Sequence, residues 1–83
     1  MEDDKKVFII FNPNEYSEDR VRAELRYEGY PFSFTFFNKT LPISFWVDTL
    51  YDSDEVWIFG RVPTDYAILN VAKDLGKEIW QMG

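Results

Sequence analysis

Six positions collect most of the chemistry that this 83-residue sequence offers: Asn12 and Asn14 behind one apolar run, and Gly60, Arg61, Thr64 and Asp65 behind another. Arg61 is the cation of the set, and a guanidinium suits a phosphate or a carboxylate. Backbone amides at a helix start, after GRVPT, can also hold an anion. There is no Walker-type phosphate loop and no GxGxxG. The same residues also fit a plain reading, with Asn12-Pro13-Asn14 as a turn and Arg61 as a surface charge. Asp65 at a helix start suits electrostatic support of that terminus better than catalysis. Asp52, Asp54 and Glu55 could suggest a hard-cation site, but their spacing matches no calcium loop and reads as a solvated turn. The chain has no His and no Cys. That removes the usual general base, the thiol nucleophile and Cys-based metal sites, so no metal and no cofactor is expected.

The elements that would position these residues follow from patterning. VFIIF (7–11) and VWIFG (56–60) are continuous apolar runs, as expected of strands buried on both faces. PFSFTFF (31–37) alternates, with Phe32, Phe34 and Phe36 on one face, and its leading Pro suits an edge strand. Residues 78–82 read as a second, short edge strand. A first helix is expected after Ser17, a good N-cap, with Glu18 and Asp19 at its start, Val21 and Leu25 on its inner face and Gly29 as its stop. Ile43, Trp46, Val47 and Leu50, behind Pro42, have the spacing of a second helix, ended by Asp52-Ser53-Asp54. The third is expected to be capped by Thr64, to bury Ile68, Val71, Ala72 and Leu75, and to stop at Gly76.

The order βαβαβαβ predicts an α/β fold in one domain over residues 1–83: a small doubly wound three-layer sandwich with helices on both faces of a parallel sheet. Central first and third strands with edge second and fourth strands give the order 2-1-3-4, a shortened flavodoxin-like arrangement. Ligands of such sheets sit beyond the carboxyl ends of the strands at the switch point. Here that is between the first and third strands, where Asn12, Asn14, Gly60, Arg61 and Thr64 are delivered.

DSDEVWIFG, then a loop and a helix ending AKDLGKEI, resembles the C-terminal half of the nucleoside 2-deoxyribosyltransferase-like family, over about residues 52–80. The resemblance implies a Rossmann-like scaffold and, in active members, a Glu nucleophile on the early helix after a Ser-x-Gly-like turn. Counting back from Leu75-Gly76-Lys77, the Glu position falls on Ile68, and the Ser and Gly positions fall near Pro63 and Thr64. An isoleucine has no lone pair with which to attack, so covalent catalysis of that kind cannot run here. The resemblance therefore implies the scaffold without its nucleophile.

Hydrophobic residues make up 46% and aromatics 19% of the chain, which sets it apart from disordered sequences despite a net charge of -6. The charge argues against direct nucleic-acid binding and fits a protein partner with a basic surface, or simple solubility. No apolar run is long enough to span a bilayer, and a cytoplasmic protein that engages no membrane is expected. Two functions follow as expectations. The first is a non-catalytic acidic interaction protein that binds and modulates or inhibits a protein, a class that includes phage host-takeover factors and DNA mimics. The second is a nucleotide- or nucleoside-binding domain, or a reduced transferase, using the switch-point pocket. A homodimer through an edge strand or an aromatic patch is also expected, because unpaired edges template pairing.

Overall fold

The computed structural model describes residues 5–38, 40–63 and 66–82. Along the chain run β1 (Lys6–Phe11), α1 (Glu18–Glu28), β2 (Ser33–Phe36), α2 (Ile43–Tyr51), β3 (Glu55–Phe59), α3 (Ala67–Asp74) and β4 (Glu78–Gln81). The four strands form one sheet in the order β2-β1-β3-β4, and every pairing is parallel. In β1 and β3 both faces are buried, which is why their sequences run apolar without alternating. The exposed–intermediate alternation of β2 places Phe34 and Phe36, in step with Phe32 just before the strand, on one face and Ser33 and Thr35 on the other.

Each face of the sheet has its own core. Phe8, Ile10, Val56 and Ile58 pack beneath Trp46 and Leu50 of α2 and Ile68, Leu69 and Ala72 of α3. On the opposite face Val7, Ile9, Trp57 and Phe59 meet Val21 and Leu25 of α1. The direction of each crossover decides this division. β1 to β2 runs one way across the sheet, while β2 to β3 and β3 to β4 run the other way. Right-handed connections then send α1 to one face and both other helices to the opposite one.

Local chemistry sets the boundaries of α1. Ser17 Oγ accepts a hydrogen bond from the Arg20 amide at 3.1 Å, and Gly29 closes the helix at φ 75°, a left-handed conformation that glycine adopts without strain. The other two helices depart from the expected stripes. Ile43 is 40% exposed, and the buried face of α2 narrows to Trp46 and Leu50, with the wide indole of Trp46 filling the space against Phe8 and Phe37. α3 begins only at Ala67, with Tyr66 as its N-cap residue and no side-chain cap. Just ahead of the helix the Tyr66 amide donates to the Pro63 carbonyl at 3.1 Å. Thr64 and Asp65 themselves lie outside the described residues.

Candidate functional site

Beyond the carboxyl ends of β1 and β3 the structure brings Asn12, Asn14, Gly60 and Arg61 together, and they are largely engaged with one another. Asn12 Nδ2 donates to the Arg61 carbonyl at 2.7 Å, and the Asn14 amide donates to Asn12 Oδ1 at 2.8 Å. The Arg61 amide, the donor an incoming anion would use, instead donates to Glu15 Oε1 at 3.2 Å. Gln81 Nε2 donates to the Gly60 carbonyl at 2.8 Å from the neighbouring strand. Gly60 sits at φ 85°, and a Cβ there would stand 2.7 Å from Glu15 Oε1 and 3.2 Å from Asn12 Cβ. The backbone must therefore be glycine for the Glu15 side chain to close over it. A carboxylate of the protein's own thus occupies the anion position, and the Arg61 side chain is left on the exposed rim.

Next to this closed corner lies a recess of about 280 Å³ with Phe11, Phe37 and Tyr66 on its walls. Two of its polar side chains are already engaged: Glu18 pairs with Arg22 at 2.7 Å, and Asn38 Oδ1 accepts from the Thr40 amide at 2.9 Å. The position that the family resemblance assigns to a nucleophile is elsewhere. Ile68 is 1% exposed and belongs to the core between α3 and the sheet.

The acidic cluster at the start of β3 ties strands together. Asp54 Oδ2 accepts from the Lys6 amide at 2.8 Å. Glu55 accepts from Lys5 Nζ at 2.9 Å and from the Trp57 indole N–H at 2.9 Å. Burial, the largest single influence on Glu55, raises its pKa, but those two hydrogen bonds and the lysine charge outweigh it and hold the carboxyl below its ordinary value. The hydrogen bond to Glu55 raises Lys5 in turn. Asp52 is exposed in the turn that follows α2.

The feature that sequence patterning missed lies on the face of α1. Four strands span about 19 Å and a helix about 10 Å, so a face of this sheet needs two helices to cover it. The face of α2 and α3 has two; the opposite face has α1. α1 sits over the middle of that face, leaving a groove on each flank. One, of about 240 Å³, faces β2 between Arg22, Arg26 and the phenylalanines. The other, of about 620 Å³, lies toward β3 and β4, with Leu25, Tyr30, Phe59 and Met82 as its apolar lining and Arg20, Glu24 and Glu28 on its helix wall. Tyr27 on that wall is 89% exposed, and Trp80, paired in register with Trp57, is 47% exposed. The strand order already contains the signal, because crossover directions dictate a single helix on one face.

Comparison with protein-family models, curated proteins and solved structures finds no match to this chain.

Proposed function

We propose that this chain is a non-catalytic acidic interaction protein that binds a protein partner with a basic surface and modulates or inhibits it. The observation that carries this reading is the half-covered face of the sheet, where an apolar groove opens beside exposed Tyr27 and Trp80 and two carboxylates stand with Arg20 on its wall. Exposed apolar strips of this kind, rimmed by charge, mark protein-binding surfaces, with aromatic side chains as anchors. The net charge of -6 favours encounter with a basic surface. The strand-end corner, where Glu15 holds the Arg61 amide, and the buried Ile68 lend support from the other side.

Affinity capture tests the proposal. The wild-type protein is expected to retain one basic protein at low salt and release it at high salt, while Tyr27→Ser/Trp80→Ser retains none at either. The competing reading, a nucleoside bound in the aromatic recess of Phe11, Phe37 and Tyr66, is favoured by the position of that recess beyond the strand ends. Saturable heats on titrating nucleosides and nucleotides, together with equal capture by the double variant, would replace the first reading with the second.

A further inference from the structure

We infer that the groove between α1 and β4 receives a single basic amphipathic helix of the partner, laid alongside α1. This rests on the interaction reading above and specifies the form and charge of what is held. The form follows from width. α1 leaves about 9 Å of a face about 19 Å across, the larger share on the β4 side, so a helix laid there at the usual interaxial spacing of 8–10 Å rests on that groove and reaches past the outer edge of β4. A strand added to the outer edge of β4 would lengthen the sheet and leave the groove open. A small polar ligand is a poorer fit, because the charged side chains at the groove, Arg20, Glu24 and Glu28, are exposed on a rim rather than buried and converging on a point.

The charge follows from how α1 divides its face. Glu24 and Glu28, four residues apart, stand with Arg20 on the flank of the larger groove, and Arg22 and Arg26, also four apart, stand on the opposite flank. Arg20 Nε bonds Glu24 at 3.2 Å, whereas Glu28 has no ion pair among the described residues. Glu28 also ends α1, where the helix dipole adds negative potential and favours a cation. Strand alternation puts Glu78 on the same side of β4 as Trp80 and Met82, while the groove lining itself takes Met82 from that segment. The occupant therefore carries apolar side chains at i, i+3 or i+4, and i+7 toward Leu25, Phe59 and Met82, and Lys or Arg one turn apart facing Glu24 and Glu28.

The test uses the full chain and three labelled peptides of about 14 residues, enough for a helix of about 21 Å. One has a leucine stripe flanked by lysines four apart; the second replaces those lysines with glutamates; the third has the first composition broken by a central proline. Fluorescence anisotropy is expected to show saturable binding of the lysine peptide, weakened at least tenfold between low and high salt, and none of the other two. Glu24→Lys/Glu28→Lys should exchange the preference, losing the lysine peptide and gaining the glutamate one, while Arg22→Glu/Arg26→Glu on the far flank leaves binding within twofold. Equal binding of the proline-broken peptide, or indifference to the charge reversal, overturns the inference. So does a dimer in sedimentation that Trp80→Ser abolishes, because a second copy then fills the groove. If the lysine peptide fails while capture of a basic protein still depends on Tyr27 and Trp80, the helix is wrong and the interaction reading stands. If both fail, both readings fall.

Discussion

At the scale of single residues, Ile68 and Gly60 carry the clearest consequences. Ile68 is sealed in the core, so Ile68→Ala should destabilise the protein by about 2–5 kcal/mol through lost burial and the cavity left behind. Ile68→Glu should cost more, since a carboxylate in that seat finds no partner. Thermal melts of the two variants decide, and a stable glutamate variant would mean that this position faces a wet pocket. Gly60 combines a left-handed φ of 85° with a Cβ position 2.7 Å from Glu15 Oε1. Gly60→Ala should lower stability by about 1–3 kcal/mol in denaturant unfolding, and adding Glu15→Ala should recover only part, because the backbone strain persists. Ile68 was legible as core from its helical spacing alone. The closure of Glu15 over Gly60 was not, because it depends on two loops 46 residues apart meeting in space.

At the scale of elements, β1, β3 and α1 were the most readable parts. An uninterrupted apolar run has few ways to be satisfied other than a central strand, and Ser17 and Gly29 bracket α1 by direct backbone chemistry. Ser17→Ala should remove the bond to the Arg20 amide and cost about 1 kcal/mol, seen as a lower denaturation midpoint with an unchanged slope. The start of α3 was not legible, because its N-cap residue, Tyr66, makes no side-chain cap bond and so leaves no capping signal. The pairing of β3 with the residue before β1 adds a pH dependence. Glu55 has a lowered pKa in the folded protein, so its contribution is present above the unfolded value near 4.5 and is lost as pH falls through the lower folded value. Stability measured from pH 6 down to pH 3 should therefore fall less steeply in Glu55→Gln than in the wild type. An unchanged slope would show that the bonds to Lys5 and Trp57 do not hold in solution.

At the scale of the molecule, the sheet order 2-1-3-4 follows from ranking the strands by how apolar they are, and the order in turn dictates two helices on one face and one on the other. What ranking does not reveal is where α1 rests across its face, because that depends on Val21 and Leu25 packing between Val7, Ile9, Trp57 and Phe59. The resting place matters because it creates unequal grooves with acidic and basic flanks. Among the described residues no helix is long and apolar enough to cross a membrane. Amide hydrogen exchange on the captured complex, compared with the free protein, locates the contact. Slowed exchange should fall on residues 23–30 and 78–82, the two walls of the larger groove, and leave 11–16 and 60–63 at their free rates. Protection of the strand-end loops, with the α1 and β4 segments exchanging as before, would contradict the placement of function on the half-covered face.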